Sequence, residues 1–122
     1  MIKFYTKLFI NDNSGGKIAK CIKILGTSNK KTAKIGDIIT VTIKKNDKNK
    51  KIHQGDIKKG IIVQRKQNEK HYSGLYLKNE INGLILINEQ KNPIGTRIFG
   101  PLHLTLRKKK LIKLISLAKH II

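Results

Sequence analysis

The chain has 122 residues, which suffices for one domain with one hydrophobic core. Lysine and arginine total 27 against 7 aspartates and glutamates, and the resulting net charge of +20 indicates a polyanionic partner. A membrane-spanning protein is excluded because no apolar run approaches the roughly 20 residues that cross a bilayer, and the single Cys21 excludes an internal disulfide.

Apolar residues at a period of two, or in short runs, predict five strands. These lie at residues 6–10, 18–25, 37–44, 57–65 and 84–87. In the second strand we expect Ile22 and Ile24 to share a face, whereas the fifth strand is apolar throughout and is expected to be buried on both sides. Short strands separated by turns are typical of a small barrel or sandwich.

Three polar segments, 27–35, 45–54 and 67–74, are predicted to be loops. Residues 108–118 have helical spacing instead, with an apolar stripe formed by Leu111, Leu114, Ile115 and Ala118. We therefore expect one mainly β domain over residues 1–122, a compact barrel with a short helical C-terminal piece at about 101–118.

The basic loops are the main functional signal. One contains Lys30, Lys31 and Lys34, and the segment 44–51 places five lysines in eight residues. Lysines this dense either stay solvated or contact phosphates, and the charge of the whole chain favours a nucleic acid. The lysines predicted to bind RNA in this part of the chain are Lys17, Lys23, Lys30, Lys31, Lys34, Lys44, Lys45, Lys48, Lys50 and Lys51.

The six aromatic residues are scattered and form a weak platform for stacking bases. Phe9 and Phe99 are expected in the core, and Tyr72 and Tyr76 are expected to pack, although stacking by the two tyrosines stays open. Recognition through the RNA backbone and its shape is therefore favoured over base stacking.

Neither catalysis nor metal binding is predicted. Asp37 and Asp56 each follow a glycine, which turn chemistry explains, and no two carboxylates are spaced for shared acid–base work. The four histidines have no companions at metal-ligand spacing, and Cys21 reads as a small buried apolar residue. Gly15-Gly16-Lys17 lacks the full spacing of a phosphate loop and is better explained as a turn between strands. We expect no enzyme and no cofactor.

The segment 93–101 contains two prolines and two glycines around Arg97, one of only three arginines. In a chain so rich in lysine, a retained arginine indicates that its planar, five-donor head group matters. Contact with RNA or a partner is favoured, and an ion pair inside the fold is the alternative.

Several motifs occur in the order found in one known family. They are Asp12-Asn13-Ser14-Gly15, Cys21-Ile22-Lys23-Ile24-Leu25-Gly26, Gly36-Asp37-Ile38-Ile39, the segment 93–101 and Ile115-Ser116-Leu117-Ala118. In these the chain resembles, from end to end, the universal large-subunit ribosomal protein fourteen of bacterial type. The resemblance implies a small five-stranded β-barrel with a C-terminal loop and short helices.

The resemblance also implies a function as a structural constituent of the large ribosomal subunit. Its implied partners are large-subunit rRNA, ribosomal proteins three and nineteen, small-subunit rRNA at an intersubunit bridge, and a ribosomal silencing factor. Arg65, Arg97 and Arg107 match basic positions of the family and are expected to bind RNA. Thr96 and Arg97 would lie at the subunit interface, with residues 108–110 close by. Lys108 and Lys109 are thus expected to bind RNA, and Lys110 to lie at the interface. A free RNA-binding chaperone with a similar barrel is the alternative.

The chain departs from the family pattern in two places, at residues 71–83 and at Leu104-Thr105-Leu106-Arg107. Its 24 lysines, 22 isoleucines and 10 asparagines against 3 arginines indicate A/T-rich codons, and Asn29-Lys30-Lys31 followed by Ile35-Gly36-Asp37 is most similar to plastid members. We therefore expect a ribosome in a plastid-type organelle such as the apicoplast, with a mitochondrion or a bacterial cytoplasm as alternatives. No leader is recognised, so an organellar chain would be made in the organelle or stripped of its leader.

Overall fold

The structure is a computed structural model that describes residues 2–26, 32–48, 50–66, 69–70, 74, 76–108, 112–118 and 121. In these ranges five strands form a closed barrel in the order β1-β2-β3-β4-β7, and two very short strands, β5 and β6, pair with each other. The elements are β1 (Lys7–Ile10), β2 (Gly16–Ile24), β3 (Ile38–Asn46), β4 (Ile57–Gln64), β5 (Glu69–Lys70), β6 (Tyr76–Leu77), β7 (Gly83–Ile87), α1 (Thr105–Lys108) and α2 (Ile112–Leu117). The five predicted strands and the predicted barrel are confirmed.

The period-two pattern determines which side chains face the barrel interior. In β3, Ile39, Val41 and Ile43 are fully buried, as their alternation with polar residues predicts. Every residue of β7 is buried, as its continuous apolar run predicts. The strand pairs in parallel with β1 and antiparallel with β4. The same hydrophobic cluster includes residues 98, 102, 106 and 114, so the C-terminal segment packs against the barrel and helps to bury its wall.

The predicted face of Ile22 is wrong. Ile22 is 41% exposed, whereas Cys21 and Ile24 are buried. The reason is a β-bulge, since Cys21 pairs with Val41 and Lys23 pairs with Thr40, which leaves Ile22 as an additional residue in β2. The prediction that Cys21 is a small buried apolar residue is confirmed, and burial raises the pKa of its thiol.

Two aromatic residues expected in the core lie at the surface. Phe9 is 40% exposed and Phe99 is 55% exposed. In β1 the alternation points Leu8 and Ile10 inward, so Phe9 between them points outward. Tyr76 is 66% exposed, so its predicted packing is also wrong, and Tyr72 lies outside the described residues.

The loop predicted at residues 67–74 is interrupted by a short antiparallel ladder, in which Glu69 pairs with Leu77 and Lys70 with Tyr76. The predicted helical segment 108–118 contains α2, and α1 begins before it. On the predicted stripe Leu114 is buried, while Ile115 and Ala118 are partly buried against the core; Leu111 lies outside the described residues. Neither described helix has the length and apolar character needed to cross a membrane.

Candidate nucleic-acid interface

Asn13 fixes the backbone of Thr96 and Arg97. Its side-chain Oδ1 accepts hydrogen bonds from the backbone N–H of Thr96 at 2.8 Å and of Arg97 at 3.0 Å. Its Nδ2 donates to Oγ1 of Thr96 at 2.9 Å, and its own backbone N–H donates to the carbonyl of Arg97 at 3.3 Å. Gly95 permits this approach, because a Cβ atom there would lie 2.6 Å from Oδ1 of Asn13.

Asp12 anchors the same turn to the barrel. Its buried carboxylate accepts hydrogen bonds from the backbone N–H of Ser14 at 3.1 Å, from Oγ of Ser14 at 2.5 Å and from the backbone N–H of Leu86 at 3.3 Å. Burial raises the pKa of Asp12 above its usual value, and the hydrogen bonds from Ser14 and Leu86 oppose that rise. The Asp12-Asn13-Ser14 motif is therefore a turn that holds the segment 93–99 in place. The turn predicted between the first two strands is present and includes Gly15, whereas Gly16 and Lys17 already belong to β2.

The side chains of Thr96 and Arg97 are both exposed. Among the described residues, no carboxylate forms an ion pair with Arg97. The side chain of Arg97 therefore faces outward from a backbone that Asn13 holds in place, which disfavours the internal ion pair that the sequence left open.

The lysine-rich loop after β3 packs against the same turn. The backbone N–H of Asp47 donates to the carbonyl of Gly15 at 2.6 Å, and a Cβ atom at Gly15, whose φ is +115°, would collide with Lys50. Lys17 and Lys50 line one surface depression of about 490 Å³ together with Phe9 and Phe99. The structure thus brings Lys17 and Lys50, two of the predicted RNA-binding lysines, close to the Asp12-Asn13-Ser14 turn that holds residues 96 and 97. Lys48 and Lys51 are exposed in the same loop.

A second group of lysines covers the outer face of β1, β2 and β3. Lys7 of β1 lies directly opposite Lys20 of β2, and Lys45 of β3 lies opposite Ile18 of β2. Lys7, Lys20, Lys44 and Lys45 line one depression of about 400 Å³. Lys7 and Lys20 are absent from the set predicted from the sequence, although Lys20 lies between the apolar residues 19 and 21, which is the pattern of an outward side chain.

The remaining predicted residues have different positions. Lys23, Lys34 and Arg107 are exposed. Arg65 is buried, and its Nη1 donates to the carbonyl of Ala33 at 3.1 Å, which argues against direct RNA contact by this side chain. Outside the described residues lie Lys30, Lys31, Lys109 and Lys110, and Lys108 is described only as the end of α1.

Two of the described aspartates stabilise turns. Asp37 Oδ2 accepts from the backbone N–H of Lys34 at 2.8 Å, and Asp56 Oδ2 accepts from that of His53 at 3.0 Å. This confirms the predicted turn chemistry of the two Gly-Asp pairs. Within the described part of the chain, no three His, Cys, Asp or Glu side chains are grouped so that they can hold a metal ion.

A family model described as ribosomal protein L14p/L23e matches residues 1–122, the entire chain. The chain belongs to the ribosomal protein L14p/L23e family. It is accordingly a protein of the large ribosomal subunit with a structural role, located in the ribosome in association with rRNA and other ribosomal proteins. The closed five-stranded barrel with its short C-terminal helices agrees with the fold expected for an L14p/L23e protein.

Proposed function

We propose that the chain is a non-catalytic building block of the large subunit that binds large-subunit rRNA through the lysines of its outer barrel face and of the loop after β3. The observation that carries this proposal is the direct pairing of Lys7 with Lys20 beside Lys44 and Lys45. No Asp or Glu is present among the described residues that line their depression. Like charges opposite each other destabilise a sheet, so an anion bound between these lysines would relieve their repulsion.

RNA phosphates supply such anions, and the lysines that bind them displace the counterions of the RNA into solution. If five lysines each neutralise one phosphate, the logarithm of the binding constant falls with the logarithm of salt concentration with a slope of about −3.5 to −4.5. A folded RNA held in this way is recognised through its backbone and shape, as the dispersed aromatic residues also predict.

The second part of the proposal concerns Thr96 and Arg97. They lie at the subunit interface, where the segment 93–101 contributes a bridge to small-subunit rRNA. The ribosomal silencing factor docks on the same side at Thr96, Arg97 and Lys110, and ribosomal proteins three and nineteen are neighbours in the subunit. Support comes from the four hydrogen bonds between Asn13 and residues 96 and 97. Three of them involve backbone atoms of these residues and one involves Oγ1 of Thr96, so the segment is held without using the guanidinium of Arg97.

Large subunits assembled with Arg97→Ala protein test this part. We expect weaker joining to small subunits in sucrose-gradient sedimentation and weaker binding of the silencing factor, because the guanidinium is the group presented. The isolated variant should melt at the temperature of the wild type, since the Arg97 side chain is exposed. Lys66→Ala removes another exposed cation and serves as the matched control. Normal joining and docking, together with reduced thermal stability, would contradict the proposal. A chaperone, in contrast, would not co-sediment stoichiometrically with large subunits.

We also propose that the ribosome belongs to a plastid-type organelle. The proposal rests on the preference for lysine over arginine and on the plastid-like segment 29–37. The location of the coding sequence tests it: a nuclear or bacterial chromosome whose product is not imported into a plastid would overturn it.

A further inference from the structure

Tyr5 has a backbone conformation that is unfavourable for a bulky residue. Its φ is +67°, in the left-handed region, and its side chain is 74% exposed. The conformation is imposed by neighbours, because the backbone N–H of Tyr5 donates to the carbonyl of Cys21 at 2.7 Å and that of Cys21 donates to the carbonyl of Thr6 at 3.0 Å. Glycine or asparagine would fit this turn at lower cost. Burial of the ring does not explain why a tyrosine is present.

The ring of Tyr5 forms one wall of the depression of about 400 Å³ described above. The ammonium group of Lys20 lies over the ring in a cation–π contact, with Nζ 5.7 Å from the ring centroid. Lys7, Lys44 and Lys45 complete the cationic walls, and Ile18 adds an apolar side chain. The volume lies in the range of small-ligand pockets, roughly 300–1,000 Å³.

This lining combines two kinds of recognition. The aromatic face and the apolar side chain suit a flat ring, and four lysines suit negative charges on either side of it. A nucleotide within an RNA chain carries both features. A base inside a paired A-form helix is stacked and cannot reach the tyrosine, whereas an unpaired base that turns out of its helix can.

We propose that this depression captures one unpaired nucleotide of rRNA, with its base stacked on Tyr5 and the adjacent phosphates on Lys7, Lys20, Lys44 and Lys45. The inference rests on the proposed rRNA binding and names the element of RNA structure that this face recognises. Strained residues that the surrounding structure holds in place are concentrated at binding sites, and here the strain orients the ring before RNA arrives.

The test uses the full chain and two RNA stems with the same base pairs, one fully paired and one with a single additional, bulged 2-aminopurine nucleotide. We expect the wild type to bind the bulged stem at least about fivefold more tightly, the low end of what base–aromatic stacking contributes. The 2-aminopurine fluorescence should be quenched on binding. Tyr5→Asn should abolish both effects and leave binding to the paired stem unchanged, and Tyr5→Phe should preserve both.

Folding is controlled within the same set. Asparagine tolerates a positive φ, so Tyr5→Asn should melt no lower than the wild type. Tyr76→Asn removes another exposed tyrosine, 66% accessible, and should keep the full preference for the bulge. If the wild type binds both stems equally, or if Tyr5→Asn retains the preference, the nucleotide site is refuted while rRNA binding stands. Failure to bind either stem or to co-sediment with large subunits would refute the proposed function itself.

Discussion

Gly95→Ala tests whether the contact between Gly95 and Asn13 holds the interface segment. An alanine Cβ would lie 2.6 Å from Oδ1 of Asn13, which is closer than real Cβ atoms approach such an atom. The Asn13 amide must therefore move, and it makes three side-chain hydrogen bonds to residues 96 and 97. A typical intramolecular hydrogen bond contributes about 0.5–1.5 kcal/mol net, so losing two of the three costs about 1–3 kcal/mol.

A double-mutant cycle isolates this contact. In an Asn13→Ala background the obstructing oxygen is absent, so Gly95→Ala should cost clearly less than in the wild type. The remaining cost comes from the backbone nitrogens of Ser14 and Asn13, which would lie 3.2 and 3.3 Å from the new Cβ atom, and the lower entropy of the unfolded chain offsets part of it. Urea unfolding of the four proteins measures each free energy difference, and at this chain length 1 kcal/mol corresponds to a shift in melting temperature of roughly 4 °C. An equal cost of Gly95→Ala in both backgrounds would show that the Asn13 side chain does not determine the requirement for glycine.

Two further predictions concern the buried carboxylate and the lysines. Burial raises the folded-state pKa of Asp12 above 3.8, so the folded protein binds more protons at this site than the unfolded chain does. The contribution of Asp12 to the free energy of unfolding is therefore largest below pH 3.8 and decreases as the pH rises through the folded-state pKa. Ser14→Ala removes the hydroxyl that opposes this rise, so an NMR titration should show a still higher pKa for Asp12; an unchanged or lower value would contradict the assignment. For the lysines, Lys20→Gln with Lys45→Gln should reduce the steepness of the salt dependence of rRNA binding by about 1.4–1.8, and an unchanged slope would place the RNA elsewhere.

The strands were predictable because burial imposes a period of two on them. The pattern of β3 determined both its position and its inward face, since Ile39, Val41 and Ile43 leave no alternative. The period-two pattern failed at Ile22, because a bulge adds one residue to β2 there and reverses the face to which the preceding side chains of the strand point. Such a bulge depends on the partner strand, and a sequence read alone does not contain that pairing.

The charge of the candidate interface was predictable, but its arrangement was not. Lys7 and Lys20 are far apart in the chain, and only the register of β1 on β2 places them opposite each other. Composition likewise cannot show that Tyr5 has a positive φ, which depends on hydrogen bonds between residues 5–6 and Cys21. The motif of residues 12–15 was recognised through a family resemblance, and its physical reason, the bonding of Asn13 to residues 96 and 97, became visible only in the fold.

In the proposed binding to rRNA, the scarcity of arginine gives lysine and arginine different roles. Lysine ammonium groups attract phosphates without fixing their orientation, so the many lysines contribute affinity that depends on salt. Of the three arginines, Arg65 is used inside the fold, where it bonds to Ala33. Only Arg97 and Arg107 remain at the surface for bidentate contacts. In the proposed complex, orientation on the rRNA would therefore depend on few groups, and a base stacked on Tyr5 would supply what an additional arginine would otherwise provide.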